Sequence, residues 1–391
     1  MLKTLFVFGT RPEAIKLCPL VLHQKARPEA FDVRVAVTAQ HRQMLDQVLA
    51  AFGVTPDFDL NTMMPGQTLA GSASRILEAL EPVLREAKPD LIYVQGDTTT
   101  TLCGALAAFY ARIPVGHVEA GLRTGDMAQP FPEEMNRVVT GRLAAIHFAA
   151  TEGARRNLVA EKVDDATIHV TGNTGIDAVL WVRDRLANGE LPGSDWGLLN
   201  AERRLIVVTA HRRESFGEGF GQICDAIGAL AARPDVEIIY PVHRNPQVTG
   251  PVYSRLGGIP NVHLIEPLDY VPFVDLMRRA YVLLTDSGGI QEEGPSLGKP
   301  VVVMREKTER PEAVEAGTVR LAGTDPARIV SEVTRLLDDA ALYSAMARVH
   351  NPYGDGHASE RISAASLAFF GKQHRQNSGP AEPVTRVGGF F

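Results

Sequence analysis

The chain has 391 residues, of which 45% are hydrophobic, 22% charged and 6% aromatic. Those proportions exclude bulk disorder and a collagen-like repeat, and at about 150 residues per domain the length asks for two to three domains. Lys and Arg number 40 against 46 Asp and Glu, a formal charge of −6, so neither nucleic acid nor an anionic membrane is an expected partner, while a local basic pocket for a small anion stays open. Cys18, Cys103 and Cys224 are far apart and form no C-x-x-C, which supports neither a disulfide framework nor a zinc ribbon. The short apolar run before Arg11 reads as a strand rather than a signal peptide. No run of about 18 apolar residues is present for a membrane span. A cytoplasmic location is the expectation.

In chain order, β-branched runs predict strands at Leu5–Phe8, Val33–Thr38, Leu91–Gln95, Val115–Val118, His147–Ala149 and Ile168–Thr171. A second series covers Leu205–Thr209, Glu237–Tyr240, Val262–Ile265, Val282–Thr285, Val301–Met304 and Thr318–Leu321. Helical patterns lie between them, such as Thr68–Ala87 and Phe220–Ala231. Strands apolar on both faces and separated by helices indicate parallel sheets covered on both sides. Roughly twelve strands are too many for one comfortable sheet, so two doubly wound domains are the economical solution. The boundary is expected near Thr171-Gly172-Asn173 or in the polar stretch Asn188–Arg204.

Ligands of open parallel sheets bind at the carboxyl ends of the strands, where helix N-termini converge. Five strands here end in conspicuous polar groups. These are Gly9-Thr10-Arg11-Pro12-Glu13-Ala14-Ile15-Lys16, Gly96-Asp97-Thr98-Thr99-Thr100, His117-Val118-Glu119-Ala120-Gly121-Leu122-Arg123, Thr209-Ala210-His211-Arg212-Arg213-Glu214 and Thr285-Asp286-Ser287-Gly288-Gly289. If the two sheets turn these edges toward each other, one cleft receives all five. Gly288 and Gly289 before a helix let the backbone approach an anion, and Ser287 adds a hydroxyl. Glu293, one to two turns in, suits two vicinal hydroxyls, as on a ribose. Alone, a Gly-Gly turn followed by a surface glutamate is the commoner meaning. Arg310 follows the next strand and fits a phosphate fork.

The first segment is neither G-x-G-x-x-G nor a Walker loop, which disfavours a nicotinamide-dependent dehydrogenase and a P-loop NTPase. Pro12 suits the first helical position, leaving Arg11 at the helix mouth and Lys16 about one turn further along. Two cations opposite a phosphate turn suit a pyrophosphate, whereas singly they read as a solvated helix face. Asp97 before three threonines is equally a helix cap. Glu133, in the pair Glu133-Glu134 after Pro132, is equally a first-turn acid. Glu119 is harder to read that way, because it follows a fully apolar strand and precedes Ala-Gly. Acids near one another shift each other's pKa, so that one carries a proton while another is a base. His211 can donate to a phosphate or supply a proton.

Taken together, Gly-Thr-Arg-Pro-Glu-Ala-Ile-Lys, Gly-Asp-Thr-Thr-Thr, His-Val-Glu-Ala-Gly-Leu-Arg, Pro-Glu-Glu-Met-Asn-Arg, Thr-Ala-His-Arg-Arg-Glu-Ser, Asp-Ser-Gly-Gly-Ile-Gln-Glu-Glu and Thr-Glu-Arg-Pro-Glu-Ala resemble the motifs of the non-hydrolysing UDP-N-acetylglucosamine 2-epimerases, in order from residue 1 to about 370. The resemblance implies an α/β fold of GT-B type, two doubly wound Rossmann-like domains facing a central cleft. Residues 1–171 would carry the acid/base groups and 172–357 the UDP site. A helix at 358–372 would cross back to the first domain, and the Gly- and Pro-rich tail 373–391 is expected to be disordered. It further implies reversible conversion of UDP-N-acetylglucosamine to UDP-N-acetylmannosamine with no redox cofactor or metal. No carbonyl acidifies the C2 proton. Loss of UDP from C1 with C2 deprotonation gives a 2-acetamidoglucal, and reprotonation on the other face with return of UDP inverts C2.

Carried over by position, Arg11, Lys16, His211, Phe273, Ser287, Gly288, Gly289, Glu293 and Arg310 resemble the UDP-binding set. Asp97, Glu119 and Glu133, with Lys16 and His211, resemble the catalytic set, with Arg137 close by. Which carboxylate takes and which returns the proton stays open. Many bacterial members use UDP-N-acetylglucosamine as an activator, and Gln40, Gln43, Arg212 and His243 resemble that second site. The chain departs from the family at Gly66, where some members carry arginine, and at Leu268, where others carry glutamine. A homodimer is implied. The alternatives are a hydrolysing epimerase that releases N-acetylmannosamine and UDP, a GT-B glycosyltransferase and a non-catalytic nucleotide-sugar binder.

Overall fold

Parallel strands and covering helices alternate through almost the entire chain, and the computed structural model describes residues 1–39, 42–64 and 66–377. The strands are β1 (Leu2–Phe8), β2 (Phe31–Val37), β3 (Phe58–Asp59), β4 (Leu91–Gln95), β5 (Val115–Ala120), β6 (Ile146–Ala149) and β7 (Ile168–Val170), followed by β8 (Arg204–Thr209), β9 (Val236–Pro241), β10 (Val262–Ile265), β11 (Val282–Thr285), β12 (Val301–Val303) and β13 (Val319–Leu321). The helices of the first half are α1 (Arg11–Lys25), α2 (Arg42–Phe52), α3 (Leu69–Ala87), α4 (Thr99–Tyr110), α5 (Glu133–Leu143), α6 (Glu152–Ala160) and α7 (Thr174–Ala187). Those of the second are α8 (Glu218–Ala231), α9 (Pro246–Leu256), α10 (Tyr270–Arg279), α11 (Gly288–Ser296), α12 (Pro311–Glu315), α13 (Pro326–Asp338), α14 (Ala340–Ala347) and α15 (Ala358–Asn377).

Among the described residues the first sheet has seven strands in the order β3-β2-β1-β4-β5-β6-β7, and the second has six in the order β10-β9-β8-β11-β12-β13. Every pairing is parallel. Both are doubly wound, and the connections reverse direction between β1 and β4 and again between β8 and β11. All the strands expected from the sequence are present with small shifts at their ends. The strand not foreseen, β3, is two residues long and leaves no period to read; it exists because Phe58 pairs with Ala36.

Helices form where caps allow them. Thr68 and Thr98 cap α3 and α4 by accepting from Gly71 and Thr101 N–H groups. Strand β4 is buried throughout. Its Tyr93 stacks on Phe6 with ring centroids 4.7 Å apart. The Tyr93 hydroxyl donates to Ser366 Oγ on α15 at 2.6 Å, so the last helix lies against the first sheet. Asp177 on α7 accepts from the N–H groups of Ala358 and Ser359 and satisfies the start of α15. That helix runs past the expected stop at Lys372 to Asn377, because no Gly or Pro intervenes after Gly371 until Gly379. The rest of the expected disordered tail, 378–391, lies outside the described residues, as does Gln40. Among the described residues no helix is long and apolar enough to cross a membrane.

Helix α11 lies hard against its sheet because Gly294 has no side chain. A Cβ there would sit 2.6 Å from Leu283 Cδ1 and 2.8 Å from Val301 Cγ2. Gly294→Val is expected to destabilise the protein by about 1–3 kcal/mol through overpacking. The check is a lower urea midpoint with an unchanged m-value.

Candidate active site

The two reversals in strand order bring the polar strand ends together. At the end of β1, Thr10 caps α1 while Glu13 reaches back to the Thr10 N–H, a reciprocal capping box. Glu13 is buried and also accepts from the Gly9 N–H at 3.1 Å and from Thr98 Oγ1 at 2.7 Å. It therefore ties the loop after β1 to the loop after β4. With Glu13 consumed, Lys16 is the residue of this segment that lines the cavity, while Arg11 acts electrostatically on Glu293.

Glu119 ends β5 in a way that periodicity alone does not foretell. Its φ is +62°, and the register with β6 shifts between Val118 and Ala120. A non-glycine residue in the left-handed region costs on the order of 1–3 kcal/mol and persists where neighbours over-determine it. Gly121 follows with φ +92°, and a Cβ there would lie 2.3 Å from the Ala154 carbonyl oxygen. The turn is thus kept by a residue that must be glycine. The Glu119 carboxylate receives Lys16 Nζ at 2.5 and 2.7 Å, Asn173 Nδ2 at 3.2 Å and the Gln95 amide. Burial works to raise its pKa, but Lys16 and Arg310 win and hold it below the ordinary carboxylate range. Burial equally opposes the Lys16 charge, and Glu119 and Glu292 overcome it.

Asp97 is not the cap of α4, because Thr98 fills that role. Its carboxylate instead receives Arg137 Nη1 at 3.2 Å. Burial pushes Asp97 up to about 6 against that guanidinium, with Glu119 and Glu133 adding like-charge repulsion. The paired acids of α5 divide their work. Glu134 is buried and accepts from the N–H groups of Thr124 and Gly125 and from Arg137, so it is structural. Glu133 is half-buried in the same first turn and faces Asp97 electrostatically.

The second sheet carries a cluster of cationic and helix-terminal groups. Buried Asp286 ends β11 and accepts from the N–H groups of His211 and Arg212 at 2.7 and 2.8 Å. His211 Nδ1 lies 3.4 Å from its other oxygen. The His211 ring stacks on His243, centroids 5.5 Å apart. Partial burial outweighs the Asp286 carboxylate and keeps the imidazole below its ordinary pKa. Ser287 stands at the N-cap of α11 with no capping bond from its side chain. A Cβ on Gly288 would lie 3.8 Å from the guanidinium groups of both Arg212 and Arg310. A helix N-terminus with two flanking guanidiniums is an anion cradle. Arg310 is steadied by an ion pair with Glu292. Glu293, half-buried beyond the turn, is pushed up to about 8 by burial and by Glu292, with Lys16 and Arg11 opposing.

One cavity of 1260 Å³ draws on both strand-end sets, with Lys16, Asp97, Glu119 and Arg137 from the first sheet and Arg212 and Arg310 from the second. Arg11, Glu133, His211, Phe273, Ser287, Gly288, Gly289 and Glu293 are not part of its lining. Phe273 packs half-buried against the larger core from α10. Gln43 is exposed on α2, and His243 is exposed beside His211. Among the described residues no group of three or more His, Cys, Asp or Glu is placed to hold a metal ion. Sequence reasoning missed Gln95, Asn173 and Glu292 as members of this network, and it named Asp286 only within a motif. Glu292 adjoins a predicted residue, but Asn173 carried no local signal beyond a helix cap.

A family model described as UDP-N-acetylglucosamine 2-epimerase matches residues 23–366. The UDP-N-acetylglucosamine 2-epimerase of Salmonella typhimurium strain LT2 is 59% identical over 373 residues, covering 94% of this chain and 99% of that relative. The Escherichia coli K12 protein of the same name is 59% identical over 369 residues, covering 93% of this chain and 98% of the relative. Among solved structures, the Neisseria meningitidis UDP-GlcNAc 2-epimerase bound to UDP-GlcNAc superposes with a TM-score of 0.85 at 46% identity, covering 94% of this chain and all (100%) of that one. The Methanocaldococcus jannaschii UDP-GlcNAc 2-epimerase in complex with UDP-GlcNAc and UDP superposes with a TM-score of 0.74 at 32% identity, covering 94% of this chain and 99% of that one.

The raised Glu293 carboxyl has a consequence for stability. Between the ordinary value of 4.5 and about 8, the unfolded chain ionises this group while the folded chain keeps it protonated. The unfolded state then binds fewer protons, so this residue's contribution to stability falls as pH rises through that window. The difference in melting temperature between wild type and Glu293→Gln, measured without UDP, is expected to shift against the wild type from pH 5 to pH 8. A difference that stays flat across that range counts against the burial of this carboxyl.

Proposed function

This chain belongs to the UDP-N-acetylglucosamine 2-epimerase family and is an isomerase of UDP-N-acetylglucosamine, and from that premise we propose how its residues invert C2. Glu119 takes the C2 proton, and the electrons of the C2–H bond form the C1–C2 double bond as the C1–O bond breaks and UDP departs with its pair. Asp97 delivers a proton to the opposite face of C2 in the resulting 2-acetamidoglucal, and the UDP oxygen returns to C1. In the reverse direction the two carboxyls exchange roles. What supports this assignment is the split between them, Glu119 held below the ordinary range and Asp97 raised to about 6. Glu133 adds charge that favours a protonated Asp97, and Arg137 orients it.

Arg11, Lys16, Arg310 and the Ser287-Gly288-Gly289 turn hold the diphosphate, so departed UDP stays within reach of C1. His211, oriented by Asp286, donates to the leaving phosphate. Glu293 takes the ribose hydroxyls and Phe273 flanks the uracil. The observation that carries the reading is the single cavity lined by Asp97 and Glu119 on one side and Arg310 on the other. The reaction is non-hydrolysing on this reading, and free N-acetylmannosamine as the main product would overturn that part. A homodimer, activation by a second UDP-N-acetylglucosamine at Gln43, Arg212 and His243, and a cytoplasmic location complete the proposal. Exposed Phe109 and Tyr110 on α4 support the first, and three free, buried cysteines support the last.

In deuterium oxide, product formed by the wild type is expected to gain deuterium at C2, read by proton NMR. Complete retention of the C2 hydrogen would defeat the mechanism. Glu119→Gln is expected to lower turnover by about 10²–10⁴-fold, with the Kd for UDP, measured by titration calorimetry, changing far less.

A further inference from the structure

We propose that Asn173 is a positioning residue that joins the proton-transferring carboxylate to the diphosphate anchor across the two sheets. The proposal rests on the roles given above to Glu119 and Arg310. Asn173 follows β7, caps α7 and is 2% exposed. Its Nδ2 donates to Glu119 Oε1 at 3.2 Å and to Glu292 Oε2 at 2.9 Å. The other Glu292 oxygen receives Arg310 Nε. A continuous chain therefore runs from Lys16 through Glu119, Asn173 and Glu292 to Arg310. Its first two members come from α1 and β5, and its last two lie beside the Ser287-Gly288-Gly289 turn.

The joint is held from every side. Asn173 Oδ1 accepts from the Gly175 N–H at 2.8 Å, and the Asn173 N–H donates to the Tyr353 carbonyl at 2.7 Å. Asn351 Nδ2 in turn donates to the Glu292 carbonyl at 2.6 Å. The chemistry of the position is selective. Two carboxylates meet one nitrogen, which calls for a neutral group with two N–H donors on one atom. A lysine would bring a second cation beside Lys16, and an aspartate would bring a third acid. If Glu119 moves by 1 Å relative to a sugar whose UDP is held by Arg310, about 10²-fold in rate is at stake. Asn173 removes that freedom, since anchor and base then shift together.

A role as helix cap alone makes a different prediction, because Asp and Ser cap as well as Asn. Asn173→Asp keeps the cap acceptor and shape but removes the donors. Asn173→Ser keeps a cap acceptor and adds no charge. Both are expected to lower kcat and the rate of C2 deuterium incorporation by about 10–100-fold, while KM and the Kd for UDP stay within a few-fold. Glu292→Gln is expected to lower kcat as well, and its effect combined with Asn173→Ser should fall well short of the product of the two single losses. Melting temperature and UDP titration establish that each variant is folded, and the serine variant decides the matter should the aspartate variant not fold. Wild-type-like kcat in the folded variants overturns the inference, as does loss of UDP affinity in step with kcat. A wild type that fails to incorporate deuterium sinks the catalytic reading itself, whatever the variants do.

Discussion

Glu119 carries a negative charge in a place where burial alone would neutralise it, and much of the site is the apparatus that keeps it ionised and aimed. The Lys16 ammonium sits directly against it, and Arg310 contributes from the other sheet. The left-handed backbone at Glu119 and the glycine after it swing the carboxylate out of the strand and into the cavity. Without Lys16 the buried charge would lose the cation in contact with it, and breaking a buried pair from one side is strongly destabilising. The same lysine serves the diphosphate on the proposed reading, so substrate entry and release of the carboxylate from its partner are coupled.

Placing two acids in one cavity is useful only if they differ. Glu119 has a cation in contact and two amide donors. Asp97 has a more distant guanidinium that it shares with Glu134. Their different partners therefore produce opposite outcomes, a group held below the ordinary range and one raised to about 6. A reaction that removes a proton from one face of a carbon and returns one to the other needs that inequality. On the proposed reading the second sheet contributes a grip for the diphosphate, built from one helix N-terminus, two guanidiniums and a histidine braced by Asp286.

The repeated winding explains why the grip and the acids meet. Each sheet reverses its connections once, and each reversal leaves a crevice at the carboxyl ends. Arg11, Lys16, Asp97 and Glu119 follow or end β1, β4 and β5 on one side, and His211, Ser287, Gly288 and Gly289 follow β8 and β11 on the other. Helix α15 lies back along the first sheet, and Asp177 holds its start. Asn173, Tyr353 and Glu292 gather at the joint between the halves.

The order of strands and helices was legible because its signals are local: apolar runs, capping threonines and glycine turns act within a few residues. The strand-end motifs were legible for the same reason, since polar groups after an apolar run stand out wherever the chain folds. Local pattern did not reveal which acids are free. Glu133 and Glu134 are neighbours in sequence, yet backbone N–H groups from another loop consume only Glu134, and Thr98 rather than Asp97 caps α4. Nor could it reveal the joint at Asn173, whose partners Glu119 and Glu292 lie 54 and 119 residues away. By itself the sequence determined the two sheets and the inventory of charged strand ends. The tertiary structure decided which of those charges face one another, because pairing and burial across such separations exist only once the chain has closed on itself.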